Sequence, residues 1–332
     1  MPGNFLSVQQ KIITDNSMDL KIVYFGTSEF AVPALFAINK VAKIPLVVTQ
    51  PAKKAGRGGK LTDPPIFNAA KSLNLSVLQP ESCKDAEFVK IIEEISPDLI
   101  VVAAYGQFLP GKLLEIPRFG AVNIHGSLLP HLRGAAPIQR AIQNGDKETG
   151  VTLIYMTKKM DAGDMISSKN IPLNANDTYG ILHEKISIMG AELFIDTLPD
   201  IVSENVTATP QNECFVTFAP PIDKSEREID WSESAVKIHR KVMGFNPNPI
   251  AVANFKNAPL KIYLTKVVTD ISVDSIFLPG QVVCANKNNG LIIFTGDGFL
   301  EILQLQPAGK NIMSGIEFVN GYQVKTLDKI FL

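Results

Sequence analysis

The chain has 332 residues, 45% of them hydrophobic, with 32 basic and 33 acidic residues and a net charge of −1. That length suggests two domains with real cores, and so even a charge balance excludes a generic nucleic-acid coat, which would be strongly basic. The widely spaced Cys83, Cys214 and Cys284 form neither a disulfide framework nor a zinc pattern, and no apolar run is long enough to span a membrane, which fits a reducing cytoplasm.

Residues 1–17 contain Lys11, no arginine and no apolar signal core. They read as an N-terminal extension without targeting character, expected to be disordered, with Met18 a serviceable start. Lys21–Phe25 is an apolar run ending at Gly26, a buried first strand. Gly26–Phe30 turns into a helix with Thr27 or Ser28 as N-cap and Pro33 in its first turn. A dinucleotide site here would need G-x-G-x-x-G, of which only Gly26 is in place. Leu46–Thr49 is a second strand. The loop Gln50–Pro65 then holds Lys53, Lys54, Arg57 and Lys60 among three glycines, with no acid before Asp63. Composition leaves open a solvated loop or a basic finger for phosphates.

Pro64–Leu73 reads as a helix and Leu75–Leu78 as a strand. Asp85–Ile95 is an amphipathic helix with Phe88, Val89, Ile91, Ile92 and Ile95 on one side. Leu99–Ala104 is continuously apolar, as expected at the centre of a parallel sheet. It leads into Tyr105–Pro110, either an ordinary sheet-edge loop or part of a binding site.

Ala121–His125 alternates, so Asn123 and His125 point to one face and Val122 and Ile124 to the other. Gly126 breaks the strand, and ligands bind at such strand ends in open α/β sheets. A carboxamide can donate to an oxyanion, and an imidazole can move a proton near neutral pH. Asp161, within Met160–Asp164, could fix the tautomer of His125 and favour its imidazolium, with Asp164 the rival carboxylate. Each residue alone could cap a turn; the three together, with SLLPHLRG following the histidine, point to a site.

Gly134–Asn144 reads as a helix with Arg140 on its surface. Val151–Met156 and Met165–Leu173 form a hairpin-like unit. Asp177–Thr178 cap a helix running to about Asp196, with Ile181, Leu182, Ile186, Met189 and Leu193 on its apolar side and His183 without a role. Val206–Pro221, containing Pro210, Pro220 and Pro221, reads as a linker. Beyond it come a helix over Ser234–Met243 and short strands Leu260–Leu264, Gly280–Cys284, Gly290–Phe294 and Phe299–Leu303, spaced as in a small β-barrel. The clusters Lys237, His239, Arg240, Lys241 and Lys256, Lys261, Lys266 fit either solvated faces or nucleic-acid contacts.

The stretch Asn123–Ile138, NIHGSLLPHLRGAAPI, followed by Met160–Gly163, resembles the folate-dependent formyltransferases, which move a formyl group from 10-formyltetrahydrofolate to an amine. The resemblance implies an α/β fold. A Rossmann-like parallel-sheet formyltransferase domain would cover 18–205, a linker 206–221 and a small OB-like β-barrel domain 222–332. It implies catalysis by Asn123, His125 and Asp161, a folate border of Ser127, Leu128, Leu129 and Pro130, and pterin binding by the backbone of Gln107, Phe108 and Leu109.

The basic loop is similar to the Ala-Gly-Arg-Gly insertion of the tRNA-formylating branch. Arg57 matches that branch's tRNA-contacting arginine, with Lys53, Lys54 and Lys60 beside it. Glu228–Ser232, Asn246–Pro249 and Leu305–Lys310 resemble the carboxy-terminal domain of the same branch, with a departure at Asn248, where tryptophan is common. The resemblance implies methionyl initiator tRNA as acceptor, 10-formyltetrahydrofolate as donor, no metal, and a cytoplasmic monomer. A sugar-nucleotide N-formyltransferase would keep the chemistry, and the basic insertion argues against it. A non-catalytic tRNA- or folate-binding protein is opposed by the intact Asn-His-Asp set.

Overall fold

The computed structural model describes residues 19–55, 59–269, 271, 276–286 and 290–331. The expected extension over 1–17 and Arg57 lie outside the described residues. In chain order the first strands are β1 (Lys21–Gly26), β2 (Lys43–Val48), β3 (Lys53–Ala55), β4 (Lys60–Thr62), β5 (Val77–Leu78), β6 (Leu99–Ala103), β7 (Ala121–His125), β8 (Arg133–Gly134), β9 (Glu148–Tyr155), β10 (Met165–Pro172) and β11 (Phe218–Ala219).

Seven of them make one sheet in the order β10-β9-β7-β6-β1-β2-β5. From β7 to β5 neighbouring strands are parallel, with β6 fully buried at the centre as its continuous apolar run requires. The expected parallel sheet is present, and the expected hairpin unit joins it at one edge, where β9 runs antiparallel to β7. Residues 156–164, joining β9 to β10, are too few for a crossover, so the pair turns back as a hairpin. Phe25, Phe88, Val102, Tyr105 and Leu113 share one core cluster under this sheet.

The structure changes several expected element limits. The loop Gln50–Pro65 contains a two-stranded antiparallel ribbon, β3 with β4. The helix expected to end near Asp196 runs Tyr179–Val202 through Pro199. A proline loses its own N–H and crowds the carbonyl four residues back, but Leu198 and Ile201 on either side of it stay buried, so packing carries the helix through it. The expected linker is built into structure: β11 pairs in parallel with β8, and Met165 and Thr209 exchange backbone hydrogen bonds of 2.8 and 2.9 Å. Its prolines do not prevent the backbone between them from pairing.

Chain contacts define two compact units that do not follow linear order. One comprises residues up to Ala135, Gly150–Ile171 and His183–Ala219; the other comprises Ala136–Thr149, Pro172–Leu182 and Pro220–Leu332. In the second unit, β12 (Ala251–Phe255), β13 (Ala258–Val268), β14 (Val282–Asn286), β15 (Gly290–Phe294), β16 (Phe299–Pro307), β17 (Met313–Ser314) and β18 (Ile330–Phe331) build an antiparallel β architecture ordered β14-β15-β16-β13-β12-β18. Strand β12 is absent from the sequence reading. Its Ala251, Ala253 and Asn254 are weak strand formers, and Lys256-Asn257, both at positive φ, close the tight hairpin that fixes it to β13. The helix Ala235–Phe245 buries Ile238, Val242 and Phe245 at helical spacing in this unit's core.

Candidate active site

Strand β7 carries Asn123 and His125 to the carboxyl end of the parallel strands. Their side chains meet Asp161 from the loop between β9 and β10. Asn123 Nδ2 lies 3.4 Å from Asp161 Oδ1, and His125 Nδ1 lies 3.8 Å from Asp161 Oδ2. The histidine and aspartate side chains are nearly buried, at 6% and 14% exposure. The backbone N–H of Gly134 donates to Asp161 Oδ2 at 2.9 Å. The rival Asp164 is exposed, and its backbone carbonyl accepts from Tyr155 N–H.

His125 is not tethered as the sequence reading supposes. Its Nε2 lies 3.1 Å from the Leu132 carbonyl, an oxygen that can only accept, so Nε2 carries the hydrogen. That leaves Nδ1 facing the carboxylate, beyond hydrogen-bond reach. The Leu132 carbonyl fixes the tautomer, while Asp161 supplies charge. Leu132 and Asp161 both sit in the left-handed region, φ +62° and +50°, a costly conformation for residues other than glycine.

The Ser127–Pro130 loop is held from below. Thr152 on β9 donates to the Ser127 carbonyl at 2.7 Å and accepts from Leu129 N–H at 3.1 Å. The Ser127 hydroxyl, buried, donates to the His131 carbonyl at 2.7 Å, so it serves the loop rather than an open surface. Leu129 is buried as well. In the Tyr105–Pro110 loop, Leu109 is buried in the core while Phe108 is 53% exposed. Gln107 Nε2 lies 3.5 Å from the carbonyls of Pro80 and Glu81, the outer limit of a hydrogen bond. Thr27 and Gln50 both donate to the Tyr105 carbonyl, at 2.7 and 2.8 Å, fixing where this loop leaves β6.

The basic residues are distributed differently from the sequence picture. Lys53, Lys54 and Lys60 stand exposed on the ribbon, with Lys53 Nζ 2.6 Å from Gln50 Oε1. In the second unit Lys237 pairs with Glu233 at 2.7 Å. His239 is buried between Thr265 and the Ala175 carbonyl, each at 2.9 Å, and burial holds its pKa below the ordinary histidine value. Arg140, expected on a surface, is bonded to Glu226 and the carbonyls of Pro220 and Pro221. Sequence reasoning also missed Arg133, Thr152 and Gln211, all buried polar residues of the first unit. Among the described residues no group of three His, Cys, Asp or Glu side chains is placed to hold a metal, and no helix is long and apolar enough to cross a membrane.

The formyl transferase family profile matches residues 20–198, and that of the formyl transferase C-terminal domain matches 221–323. The methionyl-tRNA formyltransferase of Macrococcus caseolyticus is 42% identical over 301 residues, 91% of this chain and 95% of that protein. Two solved structures share the fold at low identity. An N-formyltransferase from Helicobacter canadensis, in complex with folinic acid and dTDP-3-aminofucose, superposes with a TM-score of 0.60 at 18% identity, over 87% of this chain and 99% of that one. HypX from Aquifex aeolicus in complex with tetrahydrofolic acid does so with a TM-score of 0.60 at 15% identity, over 94% of this chain and 50% of that one, so the chain spans about half its length.

Proposed function

Because the chain belongs to the methionyl-tRNA formyltransferase family, we propose that it transfers the formyl group of 10-formyltetrahydrofolate to the α-amino group of methionyl initiator tRNA. The observation that carries this reading is the convergence of Asn123, His125 and Asp161 at the end of β7. The neutral amine attacks the formyl carbon on N10, forming a tetrahedral oxyanion. An α-amino group ionises near pH 8, so a neutral fraction is present at physiological pH. A carboxamide nitrogen carries two hydrogens; Asn123 holds Asp161 with one and donates to the oxyanion with the other. His125 Nδ1 accepts the amine's proton, and the nearby Asp161 carboxylate stabilises the imidazolium. The C–N10 bond then breaks, and N10 leaves with a proton delivered from His125 through water.

Ser127–Pro130 and the backbone of Gln107, Phe108 and Leu109 would border the folate. Arg57, with Lys53, Lys54 and Lys60, would meet the tRNA backbone, whose phosphates position without specifying sequence. The carboxy-terminal unit is read as OB-like and as tRNA-holding, with the protein a cytoplasmic monomer. The test is transfer of labelled formyl from 10-formyltetrahydrofolate to methionyl initiator tRNA, methionyl elongator tRNA and a UDP-amino sugar in parallel. Label on initiator tRNA alone is the expected result; label on the sugar would overturn the acceptor and keep the chemistry.

A further inference from the structure

The segment from Thr209 to Ala219 crosses both loops that build the site. At one end Thr209 pairs with Met165, just after the Asp161 loop. At the other, the Thr217 hydroxyl accepts from Leu132 N–H at 2.9 Å, the Thr217 carbonyl from Arg133 N–H and the Ala219 carbonyl from Ala135 N–H. Between these anchors Gln211 turns inward, 9% exposed. Its Nε2 donates to the carbonyls of Asp161 and Gly163, both at 2.8 Å. Its Oε1 accepts from Arg133 Nε at 3.0 Å. The guanidinium has only donors, so the carboxamide cannot turn over without losing all three bonds. Arg133 is itself buried and paired to Glu213 of the same segment at 3.0 Å.

We propose that Gln211 is a positioning residue for formyl transfer: its carboxamide holds the Asp161 backbone in the left-handed turn that presents the carboxylate to His125, and Arg133 locks its orientation. The proposal rests on the assignment of Asp161 to the reaction. Residues in that backbone region persist only when their surroundings over-determine them. Two carbonyl anchors flanking Ala162 do so here, while Gly163 closes the turn against the Tyr155 carbonyl with no room for a side chain.

Gln211→Glu separates positioning from simple cohesion. The carboxylate keeps the shape and strengthens the bond to Arg133, but replaces both donors with an acceptor facing two carbonyls. A merely cohesive role would lower the melting temperature of this variant while leaving kcat near wild type in the folded protein. A positioning role lowers kcat by about 10- to 100-fold, the scale of a 1 Å misplacement, with the KM values for folate and tRNA nearly unchanged. Asn123→Ala and Asp161→Asn are measured in the same assay. Full activity in those two would sink the site assignment itself. Their collapse beside an unaffected Gln211→Glu would overturn the positioning role alone. If Gln211→Glu fails to fold, Gln211→Ala takes its place under the same criteria, and failure of both to fold would assign Gln211 to stability and overturn the proposal.

Discussion

Replacing Asp161 by asparagine removes one charge and keeps the side chain's size and shape. The carboxylate lies 3.8 Å from His125 Nδ1, and both side chains are largely shielded from water. At that separation opposite unit charges attract by about 4 kcal/mol at an effective dielectric near 20. Full loss of that attraction in a transition state containing an imidazolium corresponds to roughly three decades in rate. The asparagine oxygen can still accept from Gly134 N–H, so the loop keeps its tether. Its amide nitrogen would then face Asn123 Nδ2, turning a 3.4 Å hydrogen bond into a donor–donor contact. The expected outcome is a kcat lower by about 10²–10³-fold with folate affinity retained. Single-turnover transfer to methionyl initiator tRNA at saturating substrates reads it, beside a thermal melt. A loss below about fivefold in a folded variant would refute the electrostatic role, since that is under 1 kcal/mol.

Asn123→Ala should cost roughly 10²–10³ in kcat, the usual effect of deleting one oxyanion donor, without weakening folate binding; unchanged turnover would remove the donor role. Arg57→Ala should raise the KM for tRNA and spare folate binding. An equal effect on initiator and elongator methionyl-tRNA would leave Arg57 as non-specific charge. Arg140→Ala should lower stability by about 1 kcal/mol, because it removes a two-pronged pair to the half-buried Glu226; an unchanged melting temperature would show that water replaces these contacts. His239 is held neutral by burial, so as pH falls the unfolded chain takes the proton first. Its contribution is complete above about pH 6.5 and erodes as pH drops below that value. His239→Gln should flatten the decline in melting temperature at the first stage of acidification, where His183, whose pKa burial also lowers, still contributes; the carboxylates held low by hydrogen bonds and ion pairs, such as Glu226 and Asp230, lose their share only at more acid pH. An unaltered slope would assign the decline to other groups.

The Asn123–His125–Asp161 cluster was legible in part because some of its signals are local, while the family resemblance chose Asp161 over Asp164. Alternation along Ala121–His125 aims Asn123 and His125 together, and Gly126 and Gly163 mark the turns that end their elements. Side chains whose partners lie far along the chain carry no such signal. Gln211 reaches partners 48, 50 and 78 positions away, and Arg140 meets Glu226 across 86. Neither separation leaves a period in the sequence, so an arginine on a helix reads as surface and a proline-flanked stretch reads as a spacer. The β3–β4 ribbon escaped for a related reason. Its strands are three residues each and expose Leu61, so no buried face imposes alternation. The antiparallel edge of the first sheet was half legible: the short connection after β9 gives the hairpin, while the direction of β9 against β7 depends on where the chain re-enters the sheet.

The segment over Thr209–Ala219 also bears on how the chain is made. The family profile for the amino-terminal part ends at residue 198. A fragment cut there would keep β1 through β10 but lose every partner that this segment supplies. The carbonyls of Asp161 and Gly163 and the N–H groups of Leu132, Arg133 and Ala135 would then turn to water for hydrogen bonds. Chains grow from the amino end and fold domain by domain, so a nascent molecule passes through that same state. Its sheet can assemble early, but the loops that carry Asp161 and Leu132 gain their last partners only when residues well beyond the sheet have left the ribosome.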